Sequence, residues 1–351
     1  MIGQLQIGMD GQLRDKVETA IQRLKAFEPE EGYYVAFSGG KDSQCVYHLC
    51  EMAGVKFDAH YALTTVDPPE LVYFIREHYP DAWAGRVQQY KDGKPVTMWN
   101  LIASHTIPPT RKARYCCAEL KEPGGKGRIV VTGVRWAESP NRAATHDVVD
   151  FQGKRKTTQK KLNAAGVQYR INKHGDVVMN DDNDAARRMV ESCYRTQKTM
   201  VNPIIDWTDE DVWDFLNNIA KVPHCSLYDE GFKRLGCICC PLSGAKNMIR
   251  DLERWPKYKE LYIRALQRML DNHPDEIKMY RRVDYDITPD EQLLAITGNE
   301  GGGYLLATWA QFLTSGSQER WRRDFDSRQT ADRTGTRRAV DRDGSDVNHD
   351  E

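Results

Sequence analysis

The sequence predicts an α/β protein built on a parallel β-sheet with helices on both faces. Three observations support this prediction: short apolar segments, helical periodicity between them, and a glycine-containing turn where one segment meets the next. Segments 33–37 and 128–135 are the clearest strands, because both are short and rich in β-branched or aromatic residues. Strands that alternate with helices are typical of parallel sheets, since each parallel pair needs a long crossover connection.

The remaining elements follow in order along the first two thirds of the chain. Apolar residues at positions 13, 17, 21 and 24 predict an amphipathic first helix over 13–27. The predicted order is then a strand over 33–37, a helix to about residue 53, a strand over 57–65, helices over 69–78 and 97–105, and a strand over 128–135. Thr208 begins a further helix, with Asp211 in the place of the acidic residue of a capping box.

We divide the chain into three regions. Residues 1–245 are the predicted catalytic domain, in which the polar segment of about 145–200 is an insertion that forms a small hairpin on the rim of the sheet. Residues 246–320 are predicted to be helical. Residues 321–351 form a charged tail in which Arg and Asp alternate and apolar residues nearly vanish, so we expect this tail to be disordered.

The charge balance excludes one class of protein, and the cysteines favour another. The chain has 351 residues, with 50 Lys and Arg against 51 Asp and Glu. This balance excludes a strongly basic protein that coats nucleic acid, but it permits a local basic groove. We find no secretory signal in residues 1–15 and no membrane span, so we expect a cytoplasmic protein. Nine cysteines in a reducing compartment favour metal ligation or thiol chemistry over disulfides.

A phosphate-binding turn follows the strand over 33–37. Its sequence is Ser38-Gly39-Gly40-Lys41-Asp42-Ser43. The glycines let the backbone turn tightly and present N–H groups, the following helix directs its positive dipole end at the turn, and Lys41 adds a charge. The turn is not that of a P-loop NTPase, because Val35 stands where the first glycine of that motif would be.

Five segments together resemble one known family. The turn 38–43 resembles the PP-loop of the ATP pyrophosphatase superfamily, whose members cleave ATP between the α- and β-phosphates. Four further segments resemble the phosphoadenosine phosphosulfate reductase-like family of that superfamily, in the same order: TVDPPE at 65–70, GVRWAES at 133–139 with Arg142, NPIIDWTDEDVW at 202–213 and HCSLYDEGFKRLG at 224–236. The resemblance implies a Rossmann-like sheet of the adenine nucleotide α-hydrolase type, with the nucleotide at the carboxyl ends of the strands.

The resemblance also implies the roles of individual residues. The nucleotide's phosphates would be held by Ser38, Gly39, Gly40, Lys41, Asp42 and Ser43, together with Thr65, Gly133 and Arg135. Lys41, Asp42, Arg135 and Arg142 would be the catalytic residues, since a planar guanidinium suits bidentate contact with phosphate or sulfate. Two alternatives stay open: the arginines form surface ion pairs with Glu138, and Asp42 either places a Mg²⁺ ion or caps the helix.

Six of the nine cysteines fall into groups that resemble a metal site. Cys116-Cys117 with Cys237-x-x-Cys240 resembles the iron–sulfur signature of assimilatory adenylylsulfate reductases, and four thiolates suffice for a [4Fe-4S] cluster. Zinc also accepts four thiolates, and a site without metal is the third alternative. Cys225 and Cys239 are alternate ligands, because either can replace one of the four. Small buried side chains are expected at Cys45 and Cys50, and Cys193 has no predicted role.

The predicted function is ATP-dependent sulfur transfer to a nucleic acid. The reductases of this family use a cysteine near the C-terminus as nucleophile, and no cysteine follows Cys240 here. The chain is therefore most similar in pattern to the iron–sulfur PP-loop subunit of DNA phosphorothioation systems. That resemblance implies ATP, Mg²⁺ and a [4Fe-4S] cluster as cofactors, DNA rather than RNA as acceptor, a sulfur donor such as a cysteine desulfurase, and a separate specificity subunit.

Two alternatives to this function remain. The first is a phosphoadenosine phosphosulfate or adenylylsulfate reductase, and the second is a non-catalytic nucleotide-binding regulator. Basic residues at 154–161 and at 111, 112 and 114 are candidates for contact with a nucleic-acid backbone, or they are solvated loops.

Overall fold

A computed structural model describes residues 11–111, 113–152, 155–179 and 198–273. Seven strands of this part of the chain form one sheet in the order β2-β1-β5-β9-β6-β8-β7. The strands are β1 (Tyr33–Phe37), β2 (Phe57–Tyr61), β5 (Ile129–Val131), β6 (Val149–Gln152), β7 (Arg170–Ile171), β8 (Val177–Met179) and β9 (Lys198–Val201). A separate short hairpin is formed by β3 (Tyr90–Lys91) and β4 (Lys94–Pro95).

Helices connect these strands. In chain order they are α1 (Gly11–Ala26), α2 (Lys41–Ala53), α3 (Pro69–His78), α4 (Pro80–Ala84), α5 (Met98–Ser104), α6 (Tyr115–Leu120), α7 (Pro140–Thr145), α8 (Arg155–Ala165), α9 (Asp209–Asp214), α10 (Ala245–Arg254) and α11 (Pro256–Asn272). Helix α1 packs on α2, and α2 packs on β1. Helix α11 packs on α5, so the last described helix contacts an element from the first half of the domain.

Four strands form the parallel half of the sheet. Strand β1 pairs in parallel with β2 and β5, and β5 pairs in parallel with β9. Strand β1 lies inside this half, and Tyr33, Val35 and Phe37 are buried in the main hydrophobic core. A central parallel strand is covered on both faces, which explains its nearly continuous apolar sequence. The predicted α/β, Rossmann-like fold class is confirmed.

The insertion adds three antiparallel strands to this sheet. The predicted edge hairpin is present as β7 and β8, which pair in antiparallel orientation. The prediction missed β6, which lies between β9 and β8 and is antiparallel to both. The sheet is therefore mixed, and only its first four strands match the all-parallel expectation. The local sequence of β6 is Val-Asp-Phe-Gln, and its buried Asp150 accepts a hydrogen bond from the Asn202 amide, 52 positions away.

The C-terminal region is partly described. Two helices, α10 and α11, occupy the first part of the predicted helical region 246–320. The rest of that region and the charged tail 321–351 lie outside the described residues, as do Lys112, Lys154 and Cys193. None of the helices in the described part of the chain has the length and apolar character needed to cross a membrane.

Candidate functional site

The PP-loop turn requires glycine at position 39. Strand β1 ends at Phe37, and Gly39 has φ of +73°, in the left-handed region that favours glycine. A Cβ at Gly39 would lie 2.7 Å from Cδ1 of Ile75, so this backbone also packs closely on α3. Gly40 is the extended N-cap of α2. The turn therefore directs the first N–H groups of α2 out of the carboxyl edge of the sheet.

Hydroxyl groups hold the turn in this conformation. The Ser43 hydroxyl donates to the Gly40 carbonyl at 2.8 Å and accepts from the Ser38 N–H at 3.2 Å. The Lys41 N–H, one of the first N–H groups of α2, donates to the Tyr228 hydroxyl at 2.8 Å. Tyr228 lies 187 positions away, within the segment 224–236 that carries part of the family resemblance.

Two cations and two carboxylates form a compact network beside the turn. Lys41 Nζ lies 3.0 Å from Asp42 Oδ1 and 2.8 Å from Asp209 Oδ1. Arg135 reaches the same two oxygen atoms, at 2.8 Å through Nε and at 2.6 Å through Nη2. Arg135 also donates to the Trp207 carbonyl and is 2% exposed, so its guanidinium is fixed.

Asp209 is the exposed member of this network. Its side chain is 71% exposed, although it contacts both cations. The hydrogen bond from Lys41, followed by that from Arg135, holds the pKa of Asp209 below its usual range. The sequence analysis placed Lys41, Asp42 and Arg135 at the site but missed Asp209. The capping box of Thr208 and Asp211, which is present as predicted, fixes the first turn of α9, where Asp209 lies.

Gly133 and Thr65 lie in the loops that follow β5 and β2. A Cβ at Gly133 would lie 2.8 Å from the carbonyl oxygen of Asp42, so only glycine lets the loop after β5 approach the start of α2. Thr65 follows β2, has φ of +67°, and accepts a hydrogen bond from the Met98 N–H at 3.0 Å. The Thr65 hydroxyl thus holds the start of α5, and its predicted contact with the nucleotide stays a prediction.

Arg142 lies further along the rim. Its Nε is 4.0 Å from Glu138 Oε2, which is the ion pair that the sequence left open for the arginines. Its Nη1 lies 3.4 Å from Nε2 of His146. Arg135 contacts Glu138 differently, because its backbone N–H donates to Glu138 Oε1 at 3.1 Å.

The four main candidate cysteines lie close to one another. Cys116 and Cys117 are on α6 and share a hydrogen bond, while Cys237 and Cys240 follow the segment 224–236. The charges of Cys117, Cys237 and Cys240 all raise the pKa of Cys116, so each of these groups lies within electrostatic reach of Cys116. All four side chains are partly exposed. We refer to Cys116, Cys117, Cys237 and Cys240 as the cysteine group.

Cys117 carries the negative charge of its pair. Hydrogen bonds from the Cys116 thiol and from the Arg114 guanidinium hold the pKa of Cys117 at about 5. The Lys121 ammonium hydrogen-bonds Cys237, and the Cys237 charge raises the pKa of Lys121. Two cations therefore face the thiol groups, and the sequence analysis missed Lys121.

The alternate cysteines differ from this group in burial. Cys225 and Cys239 are buried in the hydrophobic core, at 1% and 0% exposure. Cys239 has φ of +58°, and its backbone N–H donates to Asp251. Burial raises the pKa of both thiols above its ordinary value. Cys45 and Cys50 are buried in the core as well.

The cysteine group borders the loop after β2. The Ile238 N–H donates to the Val66 carbonyl at 2.7 Å, and the Thr64 hydroxyl hydrogen-bonds the Cys237 sulfur. Residues 64–66 follow a parallel strand, so they lie at the same edge of the sheet as the PP-loop. The phosphate-binding turn and the cysteine group are therefore on one edge of the domain.

The donor set of the cysteine group matches that of a [4Fe-4S] cluster, which takes four cysteine thiolates. Among the described residues, no group of three or more His, Cys, Asp and Glu side chains is arranged to hold a metal ion.

These features define a PP-loop nucleotide-binding domain of the α/β class. The chain belongs to the phosphoadenosine phosphosulfate reductase domain family, whose model matches residues 32–243. This family membership agrees with the order of the five motifs along the chain.

The chain is also similar to proteins of archaea and phage. An uncharacterised protein of Methanocaldococcus jannaschii is 29% identical over 245 residues, which cover 68% of this chain and 42% of that protein. A second protein of that organism is 35% identical over 66 residues, covering 19% of this chain and 16% of that protein. An uncharacterised protein of Escherichia phage 186 is 26% identical over 149 residues, covering 42% and 36%. The chain spans less than half the length of each.

Among solved structures, the chain is similar to FMN adenylyltransferase of Candida glabrata in complex with FAD and inorganic pyrophosphate. The TM-score is 0.37 at 16% identity, with 68% of this chain and 69% of that chain covered.

Proposed function

We propose that this protein is an ATP-dependent sulfurtransferase that adenylylates a nucleic-acid acceptor, with DNA favoured over RNA, and replaces the activated oxygen with sulfur. The observation that supports it best is that the cysteine group lies at the same edge of the sheet as the phosphate-binding turn, where Ile238 contacts Val66 in the loop after β2. A nucleotide site alone would serve many reactions, whereas thiols at the same edge of the sheet point to sulfur chemistry.

The first task of the site is to bind the triphosphate of ATP. The N–H groups of the PP-loop and of the first turn of α2 provide donors for phosphate oxygens. Lys41 and Arg135 provide two positive charges, and Arg135 is held in place by its contact with the Trp207 carbonyl. Because Arg135 is pre-positioned, little reorganisation is needed as charge develops on the leaving pyrophosphate.

The first chemical step is the adenylylation of the acceptor. An oxygen of the acceptor attacks the α-phosphorus of ATP, the bond to the β-phosphate oxygen breaks, and pyrophosphate leaves. Lys41 and Arg135 stabilise the negative charge of the leaving group. Asp42 and Asp209 supply the carboxylate oxygens that Mg²⁺ prefers, so they are the residues that would hold the ion beside the phosphates.

The second chemical step replaces the activated oxygen. The sulfur donor, such as a cysteine desulfurase, carries a persulfide, and two thiols reduce this persulfide to hydrosulfide as they become a disulfide. The hydrosulfide attacks the acceptor phosphorus, the bond to the oxygen shared with AMP breaks, AMP leaves, and the sulfur loses its proton to solvent. Cys116, Cys117, Cys237 and Cys240 would hold a [4Fe-4S] cluster, which when bound supplies a site for sulfur chemistry next to the nucleotide. Arg114 and Lys121 balance the negative charge of the thiolates.

Pyrophosphate release tests this proposal. The anaerobically purified protein is incubated with ATP, Mg²⁺, hydrosulfide and duplex DNA or RNA, and nuclease digests are analysed for phosphorothioate by mass spectrometry. We expect DNA-dependent pyrophosphate release and a phosphorothioate product. Lys41→Gln should abolish both, whereas Lys56→Gln, at an exposed lysine outside the site, should leave both intact. Pyrophosphate release in the absence of any nucleic acid would contradict the proposal. The absence of pyrophosphate release with both DNA and RNA would also contradict it, and would favour a nucleotide-binding regulator.

A sulfonucleotide reductase is the second candidate, because the chain belongs to the phosphoadenosine phosphosulfate reductase domain family. Thioredoxin-dependent release of sulfite from adenylylsulfate or from its 3′-phosphorylated form would establish it. We expect no sulfite, since residues 241–351 contain no cysteine to act as the nucleophile.

A further inference from the structure

Arg234 is an exposed arginine at the rim of the nucleotide site. It lies in the segment between Tyr228 and Cys237, and its guanidinium is 71% exposed. Its Nη1 lies 3.2 Å from Oε2 of Glu138. Its positive charge also acts on the Tyr228 hydroxyl, the group that accepts the hydrogen bond from the Lys41 N–H. Arg234 therefore borders the PP-loop without contacting Lys41 or Arg135.

Glu138 brings Arg234 and Arg142 together. One Glu138 oxygen accepts a hydrogen bond from the backbone N–H of Arg135, whose side chain belongs to the nucleotide site. The other oxygen, Oε2, is 3.2 Å from Arg234 and 4.0 Å from Arg142. Two guanidinium groups from distant segments thus share one carboxylate that is only 12% exposed. Each guanidinium has five N–H donors, so most remain available for a further anion.

Arg142 also contacts a histidine, His146. Its Nη1 lies 3.4 Å from His146 Nε2, and His146 Nδ1 lies 2.5 Å from Asp150 Oδ2. Asp150 is buried and accepts further hydrogen bonds from the Asp147 N–H and the Asn202 amide. The Asp150 charge is therefore satisfied within the protein, and the chain from Asp150 through His146 restricts the position of Arg142.

The charge of this arginine pair suits a single negative charge. Two guanidinium groups and the shared Glu138 carboxylate leave one net positive charge at the exposed rim. A phosphodiester carries one negative charge and offers two oxygens to a planar guanidinium. The polyphosphate of ATP carries several charges, and its partners are the PP-loop, Lys41 and Arg135.

We propose that Arg142 and Arg234 form a second oxyanion site, which binds a phosphodiester of the acceptor strand beside the ATP site. This inference deepens the proposed function and rests on it, since it requires a nucleic-acid acceptor. Arg234 is then the residue that positions the acceptor backbone, and Glu138 couples that position to the Arg135 segment.

Binding of a fluorescein-labelled DNA duplex of mixed sequence tests the site. Fluorescence anisotropy of the full-length protein gives the affinity and its dependence on NaCl, and calorimetry gives the affinity for ATP. The variants are Arg234→Gln, Arg234→Lys and, as matched control, Lys233→Gln at the exposed neighbouring cation. We expect Arg234→Gln to weaken DNA binding about tenfold and to reduce the salt slope by about 0.9. Arg234→Lys should recover part of the affinity, and ATP binding should stay unchanged.

Two results would overturn the inference. If wild-type protein binds DNA and Arg234→Gln behaves like Lys233→Gln, Arg234 does not hold the acceptor. If Arg234→Gln weakens ATP binding instead of DNA binding, Arg234 serves the nucleotide. A third result has a wider meaning: wild-type protein that binds ATP but no DNA would refute the DNA acceptor of the proposed function, and the second oxyanion site with it.

Discussion

Asp209 Oδ1 lies 2.6 Å from Nη2 of Arg135, and the same oxygen lies 2.8 Å from Nζ of Lys41. One exposed carboxylate thus pairs with both cations that the phosphates of a nucleotide need, and Asp42 is the second carboxylate of the network. A phosphate that binds there either displaces Asp209 or shares its cations. Because Asp209 is 71% exposed, its side chain has room to turn towards solvent.

The first prediction concerns this competition. Asp209→Asn should bind inorganic pyrophosphate about fivefold to tenfold more tightly in the presence of EDTA, because exposed ion pairs contribute on the order of 1 kcal/mol. Isothermal titration calorimetry measures the change. Glu210→Gln removes one charge from the neighbouring position and should have little effect. Weaker pyrophosphate binding by Asp209→Asn would show that the carboxylate orients Lys41 and Arg135 rather than competing with the ligand.

The second prediction concerns the turn itself. Gly39→Ala should destabilise the protein by about 2–4 kcal/mol, since it adds left-handed strain and brings a Cβ to 2.7 Å from Ile75. Gly54→Ala is the matched control: its φ is +68°, but nothing lies within 4 Å of the added Cβ. The free energy of unfolding of that variant should fall by only about 1–2 kcal/mol, because it adds left-handed strain without a steric clash. Urea unfolding measures both, and equal losses would mean that α3 moves to accommodate the new methyl group.

The parts of this fold that depend on local signals were predictable. Helix α3 was predicted to begin at Pro69 and end at His78, as found, and the strand at Tyr33–Phe37 has the predicted limits. Strand β6 was missed because it carries Asp150, whose buried carboxylate accepts a hydrogen bond from the Asn202 amide 52 positions away, a contact with no local signal. Likewise, Asp209 reaches Lys41 across 168 positions of sequence, so only the folded chain reveals that contact.

The third prediction concerns acid stability and an ion pair outside the site. Arg128 and His60 hydrogen-bond Asp58; burial raises the pKa of Asp58, but these partners outweigh burial and hold its pKa below the unfolded value. A carboxylate with a lowered pKa stabilises the fold above its unfolded pKa, and this stabilisation is lost as the pH falls through the folded pKa.

Asp58→Asn should therefore lower the free energy of unfolding at pH 7, and the difference from wild type should shrink as the pH falls below about 4. Urea unfolding at a series of pH values tests this. Asp15→Asn, at an exposed position on α1, should give a small difference at every pH. A difference for Asp58→Asn that is independent of pH would assign its effect to packing instead.

The fourth prediction separates the cysteine group from the buried cysteines. The structure brings Cys116, Cys117, Cys237 and Cys240 together, so each Cys→Ser change there should remove most of the iron and sulfide after anaerobic reconstitution. The visible absorption of the cluster should fall in parallel.

Cys225→Ala and Cys239→Ala are the controls for this experiment. Both side chains are buried in the core, so these changes should reduce stability but keep the iron content of the wild type in protein that remains folded. If Cys239→Ala loses its iron and Cys237→Ser keeps it, Cys239 rather than Cys237 is the cluster ligand. Cys239 would then have to leave the core to bind the cluster. If the control variants instead contain stoichiometric zinc and no iron, the cysteine group holds a structural zinc ion. That result would remove the basis for sulfur chemistry at this edge of the sheet.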